Sequence, residues 1–284
     1  MTSRITLNVF SGRPNPSWLL TDDEEAKLGE RLNALAQPTD RRPSGVYGGL
    51  GYRGFSITRG AFHPNGALAL TVHENIVDSQ LSGHNMVDST QLESWLAATA
   101  HAQIPAEISE HVKTSIAQKV ALQFPIILPT KCPVCHAADA PAYNPGAWNI
   151  PSVQPGNNCY NYANNRITNT FAQPGRATGH MYTALNCASV QAGAQSDGLV
   201  PVANFSGTLT ASHGYYVALV IWPNVDFHWY RQDKVGCWSH KPGSTAVRDV
   251  DNSGKKIVDP KTCDRGPYVN FCNYMVTKWS VHIQ

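Results

Sequence analysis

Tyr215-Tyr216-Val217-Ala218-Leu219-Val220-Ile221-Trp222 reads as a strand buried on both faces, because eight apolar side chains in a row leave neither face for water. Pro223 ends the run. Phe227–Gln232 and Cys237–Lys241, in the stretch Asp226-Phe227-His228-Trp229-Tyr230-Arg231 and beyond, then read as the two arms of a hairpin around Lys234-Val235-Gly236. Upstream, behind the Pro155-Gly156 break, Asn157-Asn158-Cys159-Tyr160-Asn161-Tyr162-Ala163 opens a helix expected to run from Asn158 to about Phe171, with asparagine as its cap. Asn186 to Ser212 is rich in small residues and reads as a loop region, and Val269 to Val276 as a last strand.

The hairpin register decides what meets His228. A three-residue turn sets Asp233 opposite Cys237 and leaves His240 on the face of His228, diagonal to it. A two-residue turn puts Ser239 there instead, because a slip of one residue flips every side chain. Cys159 is the nucleophile candidate. A thiol reacts as thiolate, and a helix N-terminus and a nearby imidazolium both lower its pKa. In that reading His228 takes the proton. His240, Ser239 or Asp226 orients the imidazole, and the first-turn N–H groups hold an oxyanion with help from Gln154, Asn157 or Asn158. Against it stands a plainer reading, in which Cys159 is a buried structural or disulfide-bonded cysteine and His240 is a surface residue at a strand end.

With Cys159, His228 and His240 in that order, residues 150–280 resemble the papain-like cysteine hydrolases, and within that clan the bacterial cell-wall peptidase and amidase branch. The resemblance implies a papain-like unit, with a Cys-bearing helix packed on an antiparallel sheet. It implies a Cys-His-His triad and cysteine-dependent amide hydrolysis or acyl transfer (peptidase, amidase, deamidase or transglutaminase-like). The substrate would be a peptide, protein or peptidoglycan-like amide, with no cofactor. The chain departs from the family at the nucleophile. Asn-Asn-Cys-Tyr-Asn-Tyr stands where papain has Cys-Gly-Ser-Cys-Trp and the cell-wall branch often has Asp-Cys-Ser-Gly, and no glycine precedes His228.

The N-terminal part reads as a β-α-β-β-α-α unit. Ile5 to Phe10 alternates as a strand, and Thr21 with Asp22, Asp23 and Glu24 starts a helix to about Ala36. Gly48 to Thr58 and Ala67 to Val77 pair as strands. Asp88-Ser89-Thr90 caps a helix to about Ala100, and Pro105 opens another to about Leu122. His63, His73 and His84 are scattered and read as packed or solvated. The prolines between residues 126 and 156 mark a linker or long loop. The expected organisation is α+β, with an accessory domain at 1–125, the linker at 126–156 and the papain-like unit at 157–284.

Composition narrows the classes further. The chain has 284 residues, 42% of them hydrophobic and 15% charged, enough to bury a core and too apolar for disorder. A net charge of +2 without a basic run argues against nucleic-acid capture, and no run of roughly 18 apolar residues suggests a membrane span. Met1 to Ile5 lacks the apolar core of a secretory signal, so localisation stays open. Of seven cysteines six can pair, which leaves Cys159 as the expected free thiol, although a reducing compartment would keep all seven as thiols.

Two further motifs carry chemistry. Cys132-Pro133-Val134-Cys135-His136 has the spacing of half a zinc site, of haem attachment or of a local disulfide, the last being favoured. Asp249-Val250-Asp251-Asn252-Ser253-Gly254 copies the first positions of a calcium loop, with Asp249, Asp251, Ser253 and Asp259 as candidate ligands. Pro260 stands where the bidentate Glu belongs, and an Asx-rich turn explains the same residues. Two rivals to catalysis follow. One is a secreted, disulfide-bonded module that binds glycan or protein. The other is a structural protein stabilised by calcium or zinc.

Overall fold

The computed structural model describes residues 2–39, 49–59, 68–79, 85–100, 103–118 and 131–284. The fold is α+β. The chain divides into two compact units. One comprises residues 1–9, 15–47 and 52–124, and the other residues 10–14, 48–51 and 125–284.

The first unit carries strands β1 (Ser3–Leu7), β2 (Ser17–Leu19), β3 (Ala36–Thr39), β4 (Phe55–Arg59), β5 (Leu68–His73), β6 (Ile76–Ser79) and β7 (Asn85–Val87), and helices α1 (Asp22–Asn33), α2 (Leu92–Ala98) and α3 (Ala106–Ala117). Its antiparallel sheet has the order β2-β1-β4-β5-β6-β7-β3. Ile5 and Leu7 of β1 and Phe55 and Ile57 of β4 point to the core on every second residue. The single strand expected over Ala67–Val77 is a hairpin, because Glu74 and Asn75 take positive φ of 52° and 60° and reverse the chain between β5 and β6. Thr21 and Glu24 close a capping box on α1, whose first turn holds four acids. The Asp88 carboxylate accepts from the N–H groups of Leu92 and Glu93 at the start of α2. α3 stops at Ala117, and Leu122, to which it was expected to run, lies outside the described residues. His73 Nδ1 lies 3.2 Å from Glu93, which also accepts from the Tyr52 hydroxyl at 2.7 Å. His63 and His84 lie outside the described residues.

The second unit carries helices α4 (Pro145–Trp148), α5 (Cys159–Ala163) and α6 (Cys187–Ser196) and strands β8 (Val200–Val202), β9 (Tyr215–Trp222), β10 (Asp226–Gln232), β11 (Trp238–His240) and β12 (Asn270–Thr277). The antiparallel sheet has the order β11-β10-β9-β12-β8. β9 is the central strand, with every residue buried, as its apolar run requires. Residues 131–156 take the long structured-loop form of the two alternatives and group with the second unit. Trp148 and Val153 pack with Tyr162 and Val247, and Cys132 is disulfide-bonded to Cys237. Residues 10–14 likewise cluster with this unit rather than with an accessory domain.

Two elements differ from expectation for local reasons. α5 ends at Ala163 rather than near Phe171, because Asn165 adopts φ of 50°, the left-handed conformation that stops a helix. α6 lies in the stretch expected as a loop. Asn186 caps it through the Ser189 N–H, and Val190 and Ala194, one turn apart, are buried. Its small residues answer a packing need, since a Cβ on Gly193 would lie 2.7 Å from the Pro174 carbonyl oxygen. A second disulfide, Cys187–Cys272, joins α6 to β12.

Candidate functional site

The β10–β11 turn has three residues. Tyr230 pairs with His240 and Arg231 with Ser239, while the Asp233 N–H donates to the Cys237 carbonyl at 2.9 Å and the Gly236 N–H to the Asp233 carbonyl at 2.8 Å. That register brings His228 Nε2 to 2.9 Å from His240 Nδ1. His240 Nε2 lies 3.1 Å from the Val250 carbonyl, which only accepts, so Nε2 carries the proton. In the tautomer that keeps the proton on Nε2 alone, His240 accepts at Nδ1 from His228 Nε2. Tyr230 stacks on His240 with ring centroids 5.0 Å apart, and His228 meets Tyr230 edge-on at 4.8 Å.

Cys159 heads α5, capped by Asn158, whose Oδ1 accepts from the N–H groups of Tyr160 and Asn161 at 3.0 and 3.1 Å. Its Sγ lies against the β10 backbone, 4.0 Å from the Phe227 carbonyl oxygen. The thiol is 0% exposed, and burial pushes its pKa well above the usual thiol value. The Asp226 carboxylate pushes it up further. The N–H groups of Trp229 and Cys159 and the Lys241 ammonium pull it down by less. A helix of only five residues adds little dipole. The thiol is therefore enclosed and its ionisation opposed, where the activated reading required a thiolate, and the β10 side chains that meet α5 are Trp229 on Tyr160 and Arg231 on Tyr162, out of step with His228 along the strand.

The residues expected to cradle an oxyanion hold backbone of the same chain. The Gly12 carbonyl accepts from Asn158 Nδ2 at 2.7 Å and from Gln173 Nε2 at 2.8 Å. The Asp226 carboxylate accepts from the N–H groups of Ser11, Gly12 and Arg13 and from the Tyr268 hydroxyl. Burial raises the Asp226 pKa, while these donors oppose the rise. Asp226 is thus the anchor of a strap at residues 11–13, and the residue bonded to His228 is His240. A side chain at Gly12 would force a shift, since its Cβ would lie 2.4 Å from the Phe227 ring. Asn157 organises the following loop, donating to Val153 and Asn169 and accepting from Thr168 and Asn169. Gln154 presents its carbonyl to Lys241, and Ser239 lies 2.7 Å from the Tyr162 hydroxyl, away from His228.

The sequence comparison adds what geometry does not. Over 134 residues the chain is 47% identical to "Insoluble matrix shell protein 1" of Ruditapes philippinarum, a match that covers 87% of that protein and 47% of this chain. The chain belongs to the insoluble matrix shell protein 1 family. No family model matches the chain, and no solved structure matches it. The match corrects the expectation of a hydrolase of the cysteine peptidase or thiol protease kind with a catalytic triad, because the relative is named as a shell matrix protein. The relative is named for a place in a shell matrix and comes from Ruditapes philippinarum.

Other polar features of this family member are structural in placement. Lys241, fully buried, donates to the carbonyls of Gln154, Asn157 and Gly243 at 2.6 to 2.7 Å and so ties the loop before Cys159 to β11. Arg231, also buried, pairs with Asp233 at 3.0 Å and lies over the Tyr162 ring at 3.9 Å. Neither lysine nor arginine stands out in the sequence, because only the fold shows that a charged strand residue points inward. In the calcium-like loop Asp251 accepts from Ser253, Lys255 and Asp264 backbone N–H groups, Asp249 pairs with Lys256, and Asp259 accepts from Lys261 and Tyr274. Among the described residues no group of three or more His, Cys, Asp or Glu is placed to hold a metal ion, and no helix is long and apolar enough to cross a membrane.

The cysteines pair differently from expectation. Cys132 joins Cys237 across 105 residues rather than Cys135, so its sulfur is not a zinc or haem-linking thiol. Cys135, Cys159 and Cys263 are all free, where a single free thiol was expected. Burial pushes the Cys263 thiol up to about 12.

Proposed function

We propose that the chain is a disulfide-bonded structural module of an insoluble extracellular matrix, which binds matrix polymer, glycan or protein, and performs no amide chemistry. The observation that carries this reading is the 47% identity to a shell matrix protein of which the chain covers 87%. Two disulfides suit an oxidising, extracellular setting. The enclosed Cys159 supports it as well, since a fully buried thiol whose ionisation burial opposes lacks both the charge and the access that a nucleophile needs. In this reading the remote likeness to the papain-like clan is one of residue order and scaffold, with the Cys159–His228–His240 set kept as buried packing. Trp279, 79% exposed and pinned by the Arg166 guanidinium 4.0 Å from its ring centroid, offers a surface aromatic for polymer.

The test is co-sedimentation of the full chain with insoluble polysaccharide particles and with an acid-insoluble shell protein fraction, alongside an amidase assay on a peptide library. Retention by either polymer with no amide cleavage is expected. Retention by neither, or cleavage that disappears in Cys159→Ala, contradicts the reading.

A further inference from the structure

The C-x-x-C segment is left unexplained by the staple it half forms. Cys132 is bonded to Cys237, with their Cα atoms 4.8 Å apart, while Cys135 stays a free thiol on the same loop. The loop lies directly on the β10–β11 turn. A Cβ on Gly236 would sit 1.6 Å from the Pro133 carbonyl oxygen and 3.3 Å from the Cys135 nitrogen. Cys135 therefore sits beside the residue that precedes Cys237, and three residues from Cys132, so a thiol and a disulfide share one small patch. Access differs among the three sulfur-bearing residues. Cys132 and Cys135 are partly exposed, and Val134 between them is 69% exposed, whereas Cys237 is 4% exposed. Cys159 and Cys263 lack comparable chemistry, the first enclosed and the second held as thiol by burial.

We propose that Cys132, Cys135 and Cys237 form a thiol–disulfide exchange centre in which Cys135 is the attacking group. The Cys135 thiolate attacks the Cys132 sulfur. A Cys132–Cys135 bond forms as the Cys132–Cys237 bond breaks, and Cys237 leaves as a thiolate that takes up a proton. The proton lost by Cys135 is regained by Cys237, so the step needs no oxidant or reductant. Cys132 is the sulfur attacked because it is the open end of the bond. The exchange releases the loop at 131–136 from the hairpin turn and frees a thiol there. A crosslink spanning 105 residues restricts the unfolded chain far more than one between neighbours, so the long bond dominates while the hairpin is formed and the short one gains when the turn opens.

The experiment uses the full chain at pH 8 in increasing urea below global unfolding, quenched with acid, alkylated and mapped by peptide mass. The expected result is a Cys132–Cys135 linked peptide with an alkylated Cys237, rising with urea. Both are lost in Cys135→Ser and in the native protein whose Cys135 is first blocked with iodoacetamide, a control that needs no variant to fold. The proposal is overturned if Cys237 becomes alkylated equally without a Cys135 thiol, or if Cys132–Cys237 persists as the sole linkage until the chain unfolds.

Discussion

The two units bury polarity in different ways. In the first, strands alternate, as in the pattern of buried Ile5 and Leu7 against the less buried Arg4 and Thr6, and its ion pair between Glu25 and Arg59 sits partly in water. In the second, β9 and β10 are buried at every position, so Asp226, His228 and Arg231 on β10, with Ser239, His240 and Lys241 on and beside β11, go inside with the apolar residues. Each of these meets a bonded partner: strap backbone for Asp226, His240 for His228, Asp233 for Arg231, three carbonyls for Lys241. The difference teaches that a cysteine and two histidines in catalytic order along the chain do not by themselves make a reactive site. What decides is whether the fold leaves them a path to water and a reason to ionise.

Arg231→Ala should produce the largest effect, since it strands the Asp233 carboxylate in a site where both side chains are at most 2% exposed. Loss of one partner of a buried pair costs about 3–5 kcal/mol. Arg59→Ala in the first unit, where Arg59 is 34% exposed, should cost less than about 1 kcal/mol. Urea titration of both variants checks the contrast, and equal losses would remove it.

Alkaline pH should weaken the second unit next. Cys159 and Cys263, and Tyr143 and Tyr182 at about 12, have folded pKa values raised by burial above the unfolded values of 9.0 for cysteine and 10.0 for tyrosine. The stability these groups contribute is fully present below the unfolded values and is lost as pH rises toward the folded ones. Melting temperature should therefore fall from about pH 9 upward, and a flat profile to pH 11 would contradict the burial of these groups.

Gly12→Ala should follow, because the added methyl meets the Phe227 ring. Overpacking of this kind costs about 1–3 kcal/mol. The same change should speed alkylation of Cys159 by loosening the strap, and an unchanged labelling rate would show that the strap does not enclose the thiol. Thr21→Ala should be smallest, about 1 kcal/mol for a lost cap, with circular dichroism showing fraying confined to α1.

Legibility in the sequence followed the same division. β9 and the first-unit helices were readable because apolar runs and cap residues act locally, as Thr21 with Glu24 shows. The turn length that sets His240 rather than Ser239 near His228 was open between two registers, since Lys234-Val235-Gly236 permits both. α6 was hidden by small residues whose reason, the approach of Gly193 to Pro174, is tertiary. The strap was hidden for a similar reason: no local signal links Gly12 to Asn158, 146 residues away. Disulfide partners 85 and 105 residues apart were equally out of reach.

Alkylation of the native chain by iodoacetamide from pH 5 to pH 9, with every cysteine mapped, tests the central claim most directly. The account predicts labelling at Cys135 and none at Cys159 until the chain unfolds. Fast labelling of Cys159 near pH 5 to 6, lost in His228→Ala, would reveal a thiolate–imidazolium pair and contradict a closed, non-catalytic centre.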